Sequence, residues 1–400
     1  MKDVDLPPDE ATRDLDGRPS GGRGELARRL AQHGDADRGG AERDTGRVKL
    51  ERIAVLGAGG FIGSHLAPAL AARGCMIDAV DVTFAKLGPT EGRIRRIQAR
   101  IDRPGLLEEL VERCDVVVSL TALCTPALYN TRPLEVIDAS YTDLVPLVKL
   151  CTARGKWLIH FSTCEVYGRA ARDGDGLPTA RMTEDGSALW AGPVHRERWS
   201  YACAKQLLER VIFASGRHHG LPFTIVRPFN VIGPRMDFLP DIDGEGLPRV
   251  LAAFMSALMR GESLLLVDGG RQRRSFIFID DFVEGVLRIL DHRSAAEGEI
   301  FNLGNPTNNV TIAELAALLG RAYSAQVPGA IPRTRVVSAE ELYGAGYDDS
   351  EERVPDITKA EERLGFCPRT SLLEMLPVIV ADYVERYAPL IAARVRSGPR

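Results

Sequence analysis

This 400-residue sequence predicts a doubly wound parallel α/β sheet with a smaller C-terminal substrate-binding lobe. Short apolar runs alternate with longer helical stretches from Arg52 onward, a glycine-rich turn ends the first run, and an aspartate ends the second. Alternation of that kind argues for a parallel sheet covered by helices on both faces, and such sheets take ligands outside the carboxyl ends of their strands.

Residues 1–48 are rich in Arg, Asp, Glu and Gly without apolar periodicity and read as a disordered charged extension. Arg52 to Leu56 is then a buried strand, Phe61 to Ala72 a helix and Met76 to Val80 the second strand. Val116 to Leu120, Trp157 to Phe161 and Thr224 to Val226 continue the sheet, each apolar enough to be covered on both faces. Beyond Arg227 the chain gains Gly, Pro and Arg, with short strands at Leu264 to Val267 and Phe276 to Ile279 and helices near Asp281 and Thr311. The expected division is 49–227, mainly dinucleotide-binding, and 228–390, mainly substrate-binding, with the chain free to cross between them.

A formal net charge of -4 supplies no basic field for nucleic acid or an anionic membrane. Seven cysteines, an odd number without a C-x-x-C pair, signal neither a disulfide framework nor a zinc site, and no metal is expected. No apolar run reaches the ~18 to 20 residues of a membrane span, and the N-terminus has no signal-peptide core, so a reducing cytoplasm is the expected address.

Gly57-Ala58-Gly59-Gly60-Phe61-Ile62-Gly63 follows the first strand and opens a helix. Gly57 and Gly60 permit a tight turn and close backbone approach to a pyrophosphate, Gly63 permits helix–strand packing, and the helix N-terminus favours the anion. Asp81, ending the second strand, suits both ribose hydroxyls and favours NAD over NADP, because a carboxylate repels a 2'-phosphate. Arg93, Arg95 and Arg96 read as solvated surface charge.

Thr163-Cys164-Glu165 follows an intervening strand, and Arg198, Tyr201 and Lys205 share one face of a later helix. An ammonium beside a tyrosine favours the phenolate, a base for a sugar hydroxyl. Alcohol oxidation alone needs neither the thiol nor the carboxylate.

Tyr201-x-x-x-Lys205 after a glycine-rich strand–helix turn resembles the extended short-chain dehydrogenase/reductases, whose fold is of the Rossmann type. Phe161 to Gly168 stands in that family's S-S/T-x-x-V-Y-G segment, and Arg227-Pro228-Phe229-Asn230 in its nucleotide-sugar segment. Within it, several runs are similar to the UDP-apiose/UDP-xylose synthase family and, more distantly, to the UDP-glucuronate decarboxylases of lipid A modification. These runs are Cys124-Thr125-Pro126, Tyr129 to Leu134, Arg198 to Lys205, Gly233 to Phe238 and Tyr343-Gly344-x-Gly346-Tyr347-Asp348-Asp349.

The resemblance implies UDP-glucuronate as substrate and a tightly bound, recycled NAD+ contacted also by Phe61, Ile62, Asp102 and Ala122. Tyr201 is the implied base for C4 oxidation, with Thr163 holding the reacting oxygen and Lys205 lowering the tyrosine pKa; Arg198 belongs to the same catalytic set. Glu165 and Arg353 match acid/base groups near the loss of CO2 from the resulting β-keto acid. Cys124 and Cys164 match a thiol pair that serves a retro-aldol ring contraction to UDP-apiose, whereas the lipid A enzyme has serine at the second position. A thiol titrates near ~8.5, so it exchanges protons near neutrality where serine does not. Asn230, Arg235 and Arg274 match nucleotide-sugar contacts, and guanidinium suits a diphosphate. The helix carrying Tyr201 and the one from Pro133 to Ala153 are implied to form a four-helix homodimer interface.

Simpler readings stand beside these. Cys75, Cys114, Cys151, Cys203 and Cys367 read as small core residues, with Cys203 turned away from Tyr201. Arg274 has an ordinary surface reading, and Arg353 has Glu351 and Glu352 as neighbouring partners. Two positions depart from the synthase pattern: Val231 stands for Trp and Ser140 for Asn. The alternatives are a decarboxylase stopping at UDP-xylose or the 4-keto pentose, and a non-catalytic NAD-sensing protein.

Overall fold

The computed structural model describes residues 4–5, 52–90, 92–168, 181–189, 191–244, 246–343 and 350–397. Seven parallel strands form the central sheet: β1 Arg52–Leu56, β2 Met76–Asp81, β3 Ile94–Gln98, β4 Val116–Ser119, β5 Trp157–Phe161, β6 Phe223–Pro228 and β7 Glu299–Leu303. Their spatial order is β3-β2-β1-β4-β5-β6-β7. Winding therefore reverses between β1 and β4, which opens a crevice at the carboxyl ends of those two strands.

The period of two along each strand divides the core. Ile53, Val55, Val118 and Ile159 belong to one buried cluster, while Ala54, Leu56, Val117 and Leu158 belong to another on the opposite face. The first face is covered by α1 (Gly63–Ala72) and the C-terminal helices, the second by α2 (Leu106–Arg113) and two further helices described below.

Two strands of the central sheet went unread in the sequence. β3 is an edge strand whose middle arginines are exposed, a composition that protects an edge but hides its periodicity. These arginines and Arg93 just before the strand are exposed yet also hydrogen-bonded: Arg95 Nε donates to buried Asp78 at 2.8 Å, Arg93 Nη1 to Gly74 O at 2.8 Å, and Arg96 Nη2 to Leu87 O at 3.2 Å. β7 comes from far down the chain and pairs with β6 from Glu299↔Thr224 to Leu303↔Pro228.

The helical stretch expected from Pro133 to Ala153 is broken. After a short α3 (Pro126–Thr131), α4 (Pro133–Ser140) gives way to a 3-10 turn at Thr142–Leu144 before α5 (Val145–Arg154). Tyr141, at φ -137 and ψ -65, leaves helical geometry, and Pro146 restarts the helix where its missing N–H costs nothing. α6 (Ser200–His219) carries Tyr201 and Lys205, and with α5 it completes the cover of the second face.

The strand expected at Phe276 to Ile279 is only Ile277–Phe278, because Ile279 already opens α8 (Ile279–Asp291), which follows α7 (Val250–Arg260). Val231–Ile232 pairs with it in parallel, and Arg273–Ser275 lies between Asn309–Thr311 and Glu352–Arg353. That second arrangement sets Arg274 opposite Arg353. A capping box between Thr311 and Glu314 starts α9 (Ile312–Gln326), and α10 (Leu372–Ser397) ends the described chain. Of the expected disordered extension only Val4–Asp5 is described, as a strand antiparallel to Arg333–Val337; its remainder, and Gly344 to Asp349, lie outside the described residues.

Candidate active site

At the crevice, Gly57 and Ala58 donate their amides to Val80 O at 2.8 and 3.1 Å, tying the turn after β1 to the end of β2. Gly57 has φ +85, and a Cβ there would meet the Leu120 backbone at 3.1 Å. Gly59, which sequence reasoning did not single out, is more constrained. A Cβ on it would lie 1.8 Å from Thr83 O, and its amide donates to Asp81 Oδ2 at 2.9 Å. Thr83 N donates to the other Asp81 oxygen at 3.2 Å, so the carboxylate is oriented by its own loop. Gly63 is required for packing, since a Cβ would sit 2.2 Å from Gly57 O, whereas at Gly60 the nearest contact is an ordinary 3.4 Å.

Gly57, Gly60 and Gly63 line a cavity of about 730 Å³. Phe61, Ile62, Asp81, Asp102 and Ala122 also line it, on the side of the glycine turn. Asp102 is half-exposed and paired with Arg100 at 3.0 Å, which holds its carboxyl below the usual range.

The other end of the same cavity brings together Cys124, Thr163, Cys164, Glu165, Tyr201 and Lys205. Thr163 caps the 3-10 turn Cys164–Tyr167, its Oγ1 accepting from Glu165 N at 3.2 Å. Arg198 grips Glu165 with both ends of its fork, at 2.6 Å to Oε2 and 3.1 Å to Oε1, and Arg353 Nη1 donates to Oε1 at 3.3 Å. Arg353 thus reaches across 188 residues to Glu165. Both arginine side chains are 4% exposed and the glutamate 13%.

Tyr129 joins the two halves of this constellation. Its ring stacks on Tyr201 with centroids 4.9 Å apart and planes 11° from parallel, and the Arg198 guanidinium carbon lies 5.2 Å from its centroid. In the sequence Tyr129 is only the first residue of a matching run; its role in packing depends on a contact between α3 and α6 that sequence spacing does not report.

Lys205 is buried, donates to Phe161 O at 2.9 Å, and is pulled down to about 8 by that burial. Burial pushes the Tyr201 hydroxyl well above its ordinary value, Cys124, Glu165 and Cys164 add to the rise, and a hydrogen bond with Thr163 opposes it. This direction is opposite to the phenolate expected from the Lys205 spacing. Burial also raises the Cys164 thiol, with Arg353, Arg274 and the Asn230 backbone pulling it down.

A second cavity, of about 750 Å³, meets the first at Glu165, Asn230, Val231, Arg249 and Arg353. Arg274 lines it, donating to Arg273 O at 2.8 Å and Glu351 O at 3.3 Å, and is 8% exposed, so the ordinary surface reading does not hold. Asn230 adopts φ 35 and donates from Nδ2 to Ser275 O at 2.9 Å. Arg235 lines neither cavity; its Nη1 donates to Lys86 O at 3.0 Å. Arg249, absent from every recognisable motif, lines both.

The two departures differ in setting. Val231 lines both cavities, while Ser140 is fully buried on α4 with an Oγ that has no hydrogen-bond partner among the described residues. Cys203 and Cys367 are exposed, which corrects their reading as core residues; α6 presents Cys203 outward. Cys75, Cys114 and Cys151 are buried as expected.

Residues 53–304 match the NAD dependent epimerase/dehydratase family. Over 363 residues the chain is 47% identical to the UDP-D-apiose/UDP-D-xylose synthase of Oryza sativa subsp. japonica, covering 85% of this chain and 90% of that one. Among solved structures it is similar to the PbgP3 protein from Burkholderia pseudomallei, with a TM-score of 0.74, 33% identity and coverage of 85% and 98%. MoeE5 in complex with UDP-glucuronic acid and NAD gives a TM-score of 0.66 at 25% identity, covering 84% of this chain and 99% of that one.

Proposed function

The chain belongs to the NAD dependent epimerase/dehydratase family, and from that premise we propose that it converts UDP-glucuronate to UDP-apiose and UDP-xylose. The observation that carries the reading is the arginine-gripped Glu165 in one cavity with Tyr201, Lys205 and the two thiols Cys124 and Cys164.

The residues around the first cavity fit a dinucleotide. Gly57 is held at φ +85 and Gly59 leaves no room for a Cβ, the turn opens the N-terminus of α1, and Asp81 is fixed by the amides of Gly59 and Thr83. Bound there, NAD+ supplies a hydride acceptor and later returns the hydride, so the overall conversion has no net redox change. Tight retention is part of this proposal, as is a homodimer in a reducing compartment such as the cytoplasm.

We assign to Tyr201 the removal of the C4 hydroxyl proton and to Thr163, hydrogen-bonded to it, the steadying of the reacting oxygen; burial raises the tyrosine, and the positive charge of bound NAD+ would oppose that rise and favour its phenolate. The C4 ketone turns the C5 carboxylate into a β-keto acid; the C5–carboxyl bond breaks, CO2 leaves, and the electron pair passes to the C4 oxygen. Glu165 with Arg353 handles the proton that C5 then acquires. Cys124 and Cys164 shuttle protons while the C2–C3 bond breaks by retro-aldol and the contracted, branched skeleton forms by aldol closure. Reduction of the carbonyl ends either route. Asn230 and Arg274, beyond Glu165 in the second cavity, hold the UDP end.

The test is incubation with UDP-glucuronate and identification of the products by NMR. UDP-apiose with UDP-xylose is expected, and Cys164→Ser is expected to abolish the first while sparing the second. Absence of CO2 release overturns the proposal; UDP-xylose alone, with Cys164→Ser harmless, reduces it to a decarboxylase.

A further inference from the structure

Four of the five non-glycine residues with left-handed backbone among the described residues fall between Asn230 and Asp241: Asn230 (φ 35) before the strand Val231–Ile232, and Arg235 (φ 63), Asp237 (φ 56) and Asp241 (φ 63) in the loop after it. Such conformations persist only where the surroundings over-determine them, and they concentrate at functional sites. Here the determinants are visible. Arg235 Nη1 donates to Lys86 O at 3.0 Å while Lys86 Nζ donates to Asp237 O at 2.6 Å, a reciprocal exchange that locks the loop to the segment following β2. From α10, Asp382 Oδ2 accepts from Arg235 N at 2.9 Å and Tyr383 donates its hydroxyl to Met236 O at 2.6 Å.

All of this fixes a single carboxylate. Asp237 is 7% exposed, lines neither cavity, and through Oδ2 accepts from Arg249 N at 2.8 Å and Arg249 Nε at 3.2 Å. Arg249 is the residue just before α7 and lines both cavities where they meet. Its Nε is taken by Asp237, and the N–H bonds of its two Nη nitrogens remain for an anion, a planar fork suited to a diphosphate.

We propose that Asp237 is a positioning residue, which sets the Arg249 guanidinium at the junction of the two cavities to receive the diphosphate of the nucleotide sugar. The inference rests on the nucleotide-sugar reading above. Lys86 and Arg235 act one step further back, holding the loop whose backbone aims the carboxylate. Arg235 therefore serves the nucleotide without lining its cavity.

The experiment is a double-mutant cycle read by calorimetric UDP binding to NAD-loaded protein, with thermal melts alongside. Asp237→Asn tolerates the left-handed backbone and keeps an acceptor while removing the charge. It is expected to weaken UDP about tenfold, with NAD retention unchanged. Arg249→Met is expected to weaken UDP at least as much, and the double variant no more than Arg249→Met alone, because Asp237 acts only through Arg249. Should Asp237→Asn not fold, Lys86→Met enters the same cycle, with a smaller loss that likewise vanishes beside Arg249→Met. Wild-type UDP affinity in Asp237→Asn, or costs that simply add, overturn the inference alone. A wild-type protein that binds no UDP overturns the nucleotide-sugar reading and this inference with it.

Discussion

Glu165 carries a charge that two buried guanidinium groups depend on. Replacing it with glutamine leaves Arg198 and Arg353, each 4% exposed, without their shared carboxylate. Breaking a buried ion pair from one side costs about 3–5 kcal/mol, so Glu165→Gln should melt well below wild type as well as losing CO2 release by about 100-fold or more. A melt unchanged from wild type would mean that the triad contributes little to folding. Lys205 offers a pH-dependent counterpart. Its ammonium titrates at about 8 in the fold against an ordinary 10.5, so below pH 8 both states are protonated and the folded state bears the whole desolvation cost. Between pH 8 and 10.5 the unfolded chain binds more protons, and stability rises with pH. Removing the charge removes that slope. Denaturant titrations at pH 7 and pH 10 should therefore find the stability of Lys205→Met, relative to wild type, greater at pH 7 than at pH 10.

The glycine turn and β1, β2, β4, β5 and β6 were legible because each strand carries adjacent apolar residues beside a motif or turn, even where Asp78 interrupts β2 and His160 interrupts β5. β3 hides behind its arginines, and β7 behind Asn302. That asparagine is fully buried yet satisfied, donating from Nδ2 to Met182 O at 2.9 Å and accepting from the Tyr167 hydroxyl at 2.8 Å. Tyr167 in turn accepts from Arg227 Nη1 at 2.9 Å, and Arg227 forks onto Glu209 at 3.0 and 2.7 Å. This network fastens α6, one turn beyond Lys205, to β6, β7 and the turn bearing Glu165, and none of its partners is near another in sequence. Arg227→Met leaves Glu209, 4% exposed, without its cation and should cost about 3–5 kcal/mol. Adding Glu209→Leu should recover most of that loss, because a buried pair replaced whole by apolar groups is often neutral. Denaturant melts decide it: a double variant as unstable as Arg227→Met would show that the network, and not the pairing of charges, stabilises the helix.

At the scale of the whole molecule, the groups proposed above to react come from β-strand ends, α6 and the distant strand Glu352–Arg353, and they meet because winding reverses at β1 and β4. Sequence motifs identified Tyr201, Lys205, Glu165 and the thiols, since these sit in short local patterns. Tyr129 and Arg249 escaped because a ring stack and the junction of two cavities exist only after folding. The proposed homodimer bears on the same two helical stretches that the resemblance implies for it. Leu207 and Phe213 on α6 are 47% and 45% exposed, and Leu134 on the adjoining α4 is 75% exposed. Large apolar side chains on two contacting helices are suited to a two-fold partner, because a patch that meets its own copy buries every such residue twice. Sedimentation at micromolar concentration should therefore give twice the chain mass. Phe213→Lys, introduced where no cavity-lining residue is touched, should shift the protein toward monomer while leaving its NAD content intact. A wild-type monomer, or a Phe213→Lys dimer as tight as wild type, would separate this face from assembly and leave α4 and α6 to serve the active site alone.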